Sequence, residues 1–349
     1  MRWPWKHAEA PTERLAYSLS PGGLAWAVAD THHGSPTLLR FGVQRLPAGD
    51  DEAGVRNVRA LGLPPVGAIG VMPLTDYQML QIEAPAVPPE ELKSAARWRI
   101  KDMVARHVDE LTLDVMLVGS PQGPVRQQLF VVAAANDALK TTSQLAQAAG
   151  LQTQVLDIVD TAQRNLQTRI STRLGTGERA TAGLMRHGGH CLLTICIGDE
   201  LCYSRRLDWD AALIEASHQQ GPAPAPATHA HELVAEAGLQ WVSDASSYDL
   251  GVQEPEADTT PRLVIELQRS FDVWERSWPE QPLAQLLIHL GTGNSELASY
   301  LQLALGLRVQ PMNLALALPG AEQGGQWDGP ERACIPLLGA LLRDAVTPR

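Results

Sequence analysis

Residues 182–207, AGLMRHGGHCLLTICIGDELCYSRRL, decide how this 349-residue chain is read. Three runs of strand-forming residues are separated by the loop HGGH at 187–190 and by the pair Gly198-Asp199, a pattern that predicts an antiparallel meander with tight turns. Residues 14–47 follow the same plan: RLAYSLS, the turn Pro21-Gly22-Gly23, LAWAVAD, a His/Gly loop, and TLLRFGVQRL. A helix-like segment follows each copy, at 51–62 and at 209–219. Two copies of one plan predict two related halves.

Between the halves lies a second kind of text. YQMLQIEAP reads as a strand, Pro88-Pro89 open a helix over 89–108, and TLDVMLVG, QQLFVVAAA and DALKTTSQLAQAAG predict strand, strand and helix. Asn136-Asp137 cap that last helix and Gly150 ends it, after which LQTQVLDIV returns as a buried strand. The division this suggests is a first lobe over 1–73 and 156–178, an inserted α/β subdomain over 74–155, and a second lobe over 179–349. Leu80 and Trp98 are expected to fill the insert's own core. In VLDIVDTAQRNL a strand runs into a helix, so Asp160 reads as an N-cap and Asp157 as the carboxylate facing a cleft. Arg205-Arg206 on a strand would point to opposite faces. The Pro/Ala stretch at 219–230 reads as a surface loop, residues 261–278 as a helix with Leu263, Leu267, Phe271 and Trp274 on one face, and 334–346 as a final helix.

Composition excludes several classes. Apolar residues make up 44% of the chain and no apolar run approaches the roughly eighteen residues of a membrane span, so a soluble globular protein is expected. A net charge of −11 argues against nucleic acid, whose binding needs a cationic face. The four cysteines form no C-x-x-C pair and read as buried reduced thiols, and neither His32-His33 nor His187 with His190 has a third ligand at metal-binding spacing. MRWPWKHAEAPTERL lacks the apolar core of a signal peptide, which favours the cytoplasm. Its Trp3 and Trp5 among Arg2, Lys6 and His7 suit either a membrane interface or a tail packed on the body.

The duplicated meander, the insert, LDIVDTAQRNL, the late LIHLGTGNSELASYLQLALGLRVQPMNL and CIPLLGALLR together resemble the actin-like assembly proteins of bacterial type IV pili. This is the group of MshI of the MSHA pilus and of PilM, itself similar to the cell-division protein FtsA. LTDYQMLQIEAPAVPPEELKSAARWRIKD, at 74–102, is the most specific stretch, and the order of all the stretches carries more than any one of them.

The resemblance implies a bilobal α/β fold of the actin, Hsp70 and sugar-kinase type with an inserted small α/β subdomain. It implies ATP between the lobes, with the hairpin glycines Gly22, Gly23, Gly188 and Gly189 at the phosphates and Gly291-Thr292-Gly293 at the adenosine. Read alone, that last turn reads first as a join between a strand and a helix. Active members carry a Mg²⁺-positioning carboxylate at the end of the first strand of each half, where this chain has Ser18 or Ser20 and Arg186. Hydrolysis is therefore expected to be lost, no catalytic or metal-binding residue is assigned, and ATP binding stays open. The partner implied is the cytoplasmic N-terminal tail of a single-span inner-membrane pilus protein of the PilN or MshJ kind. It would lie between the first half and the insert, with Tyr77, Met79, Ile82 and Ile100 as the candidate contacts. The protein would then be a cytoplasmic scaffold peripheral to the inner membrane, with a homodimer left open. The alternatives are a nucleotide-hydrolysing or kinase-like enzyme of the superfamily, and the cytoplasmic region of a GspL-like type II secretion protein. The latter would continue into a membrane span, which the closing residues DAVTPR do not supply.

Overall fold

The computed structural model describes residues 12–20, 23–32, 34–47, 51–119, 127–219, 260–325 and 327–343. Gly22, His33, Trp3, Trp5, the loop 220–230 and the end of the final helix at 344–346 lie outside them. The first meander is β1 (Glu13–Ser20), β2 (Gly23–Asp30) and β3 (Thr37–Gln44), followed by α1 (Asp51–Ala60) and by β4 (Gly67–Met72), which pairs in parallel with β1. The chain then leaves for a small module: β5 (Tyr77–Glu83), α2 (Leu92–Ile100), β6 (Leu111–Val118) and β7 (Gln128–Ala135). It returns through α3 (Asn136–Ala149), β8 (Gln152–Ile158) and α4 (Val159–Arg173).

The second half repeats the first. Its meander is β9 (Thr181–His187), β10 (His190–Ile197) and β11 (Glu200–Asp208), and α5 (Ala212–Gln219), α6 (Arg262–Ser277), β12 (Leu286–His289), α7 (Asn294–Leu305) and β13 (Val309–Pro311) follow. The two large sheets have the same order, β3-β2-β1-β4-β8 and β11-β10-β9-β12-β13, each an antiparallel meander extended by two parallel strands. The hairpins close where glycine relieves the turn: His187 pairs with His190 across Gly188 at φ +64°, and Ile197 with Glu200 across Gly198 at φ +61°. Thr181 to Met185 of β9 are buried on both faces, which is why the text there reads as an apolar run without alternation. The face predicted for α6 is the buried one: Leu263, Leu267, Phe271 and Trp274 all point into the second core.

The lobe boundaries differ from those read in the sequence. β8 pairs with β4 and α3 packs on α1 and β8, so the separate module is β5-β7-β6 with α2 and ends at Ala135, well before residue 155. The last elements, α8 (Leu314–Ala317) and α9 (Ile335–Leu341), also leave the second lobe. α9 packs on α4 and β1, and Arg14 donates to the carbonyls of Leu341 and Arg343. α4 and α9 cross at Gly339, where a Cβ would fall inside van der Waals contact of the Ala162 carbonyl. α4 in turn lies against the second sheet through buried amides: Gln163 Nε2 donates to the carbonyls of Gly183 and Leu192, and Gln167 Nε2 to that of Thr181. One helix thus touches both lobes.

Within the module, α2 is shorter than the predicted 89–108 helix, since 3-10 turns at Pro89–Glu91 and Val108–Glu110 bracket it. It presses Ala96 and Ile100 into a core with Leu113, Leu129 and Val131, Leu80 packs against that core, and Leu92 is buried as well. Trp98 does not: it is 78% exposed on the opposite side of the helix. The other face of the module's sheet buries Tyr77 in the first core and Phe130 in the second.

Candidate functional site

Two regions matter, the strand ends and glycine turns of the two large sheets and a groove between the first lobe and the module. At the ends of β1 and β9, the first strands of the two meanders, no carboxylate stands. Ser18 Oγ donates to the Val71 carbonyl at 2.8 Å and Ser20 Oγ to that of Gly23 at 3.3 Å, so both hydroxyls are turned to the backbone. Arg186, next to last in β9, has its guanidinium 4.2 Å over the Trp209 ring and its Nε donating to the Gly188 carbonyl. His187 follows it. Burial, then the neighbouring His289, Arg332 and Arg206, push the imidazole down to about 4.

Gly291-Thr292-Gly293 joins β12 to α7, with Gly291 at φ +115° and Gly293 at φ +76°. Asn294 Oδ1 accepts from the Leu290 N–H, and the Gly293 carbonyl accepts from Leu297 N, which closes the turn. The face that Gly291 leaves open is filled by the guanidinium of Arg332, which also donates to the carbonyl of Asp328. Thr292 Oγ1 donates to Asp328 Oδ2. Where β1 and β9 end, hydroxyls and a guanidinium stand in place of metal-binding carboxylates, and the end of the Arg332 side chain lies over Gly291. Among the described residues no group of three His, Cys, Asp or Glu side chains is arranged to hold a metal. Cys191, Cys196, Cys202 and Cys334 are all buried free thiols, and burial raises Cys191 and Cys202 to about 12 and Cys334 to about 11.

Of the carboxylates of 157–160, Asp157 borders the groove as read from sequence, whereas Asp160 is not an N-cap but a buried acceptor inside α4. Asp157 Oδ1 accepts from the Ile158 N–H at the end of β8 and from Thr161 Oγ1 of α4, while its Oδ2 accepts from Arg343 at 3.0 Å. Asp160 is the deeper group, 2% exposed, and joins three bodies. It accepts from Tyr77 Oη of the module and from Ser204 Oγ of the second lobe, both at 2.5 Å. Arg206 donates to the carbonyls of Leu74 and Tyr77 beside it. Arg205 goes to the other face and pairs with Glu266, as the alternation of a strand requires.

The groove has a volume of about 990 Å³. One wall is the free edge of β6, Thr112 to Met116, and the opposite wall is a stripe of α4 that includes Thr161, Arg164, Thr168, Arg169 and Thr172. Its apolar floor comes from Met72, Val132, Leu139, Leu156 and Ile158. None of Tyr77, Met79, Ile82 and Ile100 lines it. Tyr77 and Ile100 are buried, Met79 packs where the two large cores meet, and Ile82 belongs to the module's own core. The reason is strand order. β5 and β6 are opposite edges of the three-stranded sheet, so the apolar residues of β5 lie away from this groove, and Tyr77 borders a second hollow with Leu19, Leu46 and Leu145. The α4 stripe, with residues at i, i+3, i+7, i+8 and i+11, was the missed signal: a polar face on a helix otherwise buried.

A chain described as a protein with an actin-like ATPase fold and unknown function, from Bacteroides thetaiotaomicron, superposes with a TM-score of 0.50 at 9% identity, covering 95% of this chain and 96% of that one. The fold is actin-like. A chain from a structure described as a PilM–PilN type IV pilus biogenesis complex matches this actin-like body more fully, with a TM-score of 0.64 at 17% identity over 95% of this chain and 99% of that one. No family model matches the sequence, and no curated protein does. Within the actin-like body, the glycine hairpin 187–190 and the turn 291–293 both belong to the second half, while Gly23 packs its Cα against β3 of the first.

Proposed function

We propose that this chain is an actin-like scaffold of a type IV pilus or related secretion platform, which holds the extended cytoplasmic tail of a single-span inner-membrane protein. The observation that carries the reading is the groove beside β6: an unpaired strand edge facing a polar helix wall over an apolar floor suits an extended segment that adds by backbone pairing. The full-length likeness to a chain of the PilM–PilN complex supports the same partner class, a PilN-like tail. The finer assignment, to an MSHA-type system with MshI and an MshJ-like partner, rests on the sequence resemblance. So do the cytoplasmic location, peripheral to the inner membrane, and the absence of catalysis.

Photo-crosslinking in native membranes tests it. With p-benzoylphenylalanine in place of Asp114 or Thr172, both exposed and on the groove, the tail of one single-span membrane protein should be captured. The same group in place of Leu303, 63% exposed on the second lobe, should capture none. Capture of that tail from Leu303 and not from the groove would move the docking site elsewhere.

A further inference from the structure

The outward side of α2 runs against the character of the chain. Residues 93–106, KSAARWRIKDMVAR, hold five basic side chains against the single Asp102, in a chain whose net charge is −11. Three of the five face carboxylates: Lys93 pairs with Asp114 at 3.0 Å, Arg97 with Asp109 at 3.8 Å and Arg106 with Asp137 at 2.9 Å. Arg99 and Lys101 are exposed and have no carboxylate partner among the described residues. Beside them stands Trp98, at 78% the most exposed large apolar side chain among the described residues. Met103, 50% exposed, follows on a turn that its own N–H closes by donating to the Ile100 carbonyl. Trp98 and Lys101 are three residues apart on the stripe turned away from Ala96 and Ile100, so indole and ammonium share one outward surface.

Basic residues at a helix C-terminus complement its dipole, which accounts for the cations. It does not account for a bare indole, whose apolar surface favours leaving water. A protein partner needs about 800 Å² of packed surface with a centre poor in Lys and Asp. Here two apolar side chains stand among Arg99, Lys101 and Asp102. An indole at headgroup level with cations beside it is what an anionic bilayer surface selects.

We propose that the outward face of α2 and the turn after it rest on an anionic lipid bilayer, with Trp98 and Met103 entering the headgroup layer and Arg99 and Lys101 meeting its charge. The contact is weak and reversible, since so small a patch falls short of the two signals that stable anchoring takes. It goes beyond the scaffold reading, in which the membrane partner alone meets the bilayer, and does not depend on it.

Co-sedimentation of the full chain with extruded vesicles is the test. Binding to vesicles of about one-third phosphatidylglycerol in phosphatidylcholine is expected, with none to phosphatidylcholine alone and a decline as salt is raised. Trp98→Ser should weaken it about tenfold or more, and so should Arg99→Gln combined with Lys101→Gln. Leu303→Ser, at a position 63% exposed on the second lobe, should leave it unchanged, as should Trp3→Ser combined with Trp5→Ser. Failure of the folded wild type to bind the anionic vesicles would overturn the proposal. So would equal loss in Leu303→Ser, undiminished binding by Trp98→Ser, or binding lost with Trp3 and Trp5 instead, which would put the contact in the N-terminal segment. If the vesicles were ignored and p-benzoylphenylalanine in place of Trp98 captured a protein in native membranes, the patch would be a protein interface and the proposal would fall.

Discussion

Asp160 shows how much one carboxylate can organise. It sits 2% exposed between three bodies, and its two oxygens take a hydroxyl from the module and one from the second lobe. Tyr77→Phe removes one donor and leaves a buried oxygen unpaired, which should cost about 1–3 kcal/mol in urea unfolding. Asp160→Ala strands both hydroxyls and opens a small cavity, so a larger loss, about 3 kcal/mol or more, is expected from the same measurement. Burial and the Asp160 charge both raise the Tyr77 phenol well above its ordinary value, so it is a donor at neutral pH. His187 titrates in a reachable range. Its folded value of about 4 lies below the unfolded value of about 6.5, so the unfolded chain binds the extra proton between those pH values. Stability should therefore rise with pH from 4 to 6.5, by at most about 1.4 kcal/mol per pH unit from this group. Subtracting the pH profile of His187→Gln from that of the wild type should isolate the slope, and parallel profiles would show that the imidazole is not held neutral.

At the scale of elements, the contrast between Trp98 and Trp274 sets the expectation for substitution. Trp98→Ser alters a ring that is 78% exposed and should change stability by less than about 0.5 kcal/mol. Trp274→Ala empties a site 1% exposed and removes an N–H that donates to the Gln281 carbonyl, at a cost of about 3–5 kcal/mol. Gly339→Val should be as damaging as the latter, because α9 rests its backbone on α4 at that position and a side chain must push the helices apart. Thermal melts of these three variants separate the cases. The strands of both meanders were legible because their turns are marked by glycine and their cores by apolar runs, and α6 was legible because its stripe repeats at helical spacing. What α2 packs on was not. Its buried residues, Leu92, Ala96 and Ile100, are the i, i+4, i+8 set, but Trp98 is the largest apolar side chain in the segment and pointed the wrong way. The groove was half legible: its position between the first lobe and the insert followed from the resemblance. Its walls depend on which edge of a three-stranded sheet faces α4, and no local pattern reports strand order.

Lobe membership belongs to the whole molecule, and there the local text is silent. The alternation strand, helix, strand is the same whether β8 closes the module or returns to the first sheet, and only its pairing with β4 decides. The module itself is inserted at a single seam: Tyr77 pairs with Ala134, so the chain enters and leaves at neighbouring points. Excising 74–135 should therefore leave two lobes with their sheets complete, whereas excising 74–155 removes α3 and the first half of β8 and exposes the edge of β4. The shorter deletion is not free of cost. It uncovers the pockets of Tyr77 and Phe130, each about 1.5–3 kcal/mol of burial, and it strips Asp160 of one donor, so Asp160→Leu should accompany it. With that replacement, the 74–135 deletion is expected to unfold cooperatively below the wild-type midpoint and to lose the partner tail, because the β6 wall of the groove has gone. The 74–155 deletion is expected to be insoluble or to show no cooperative transition. If instead the longer deletion melted cooperatively and the shorter did not, β8 would belong to the module and the first sheet would end at β4.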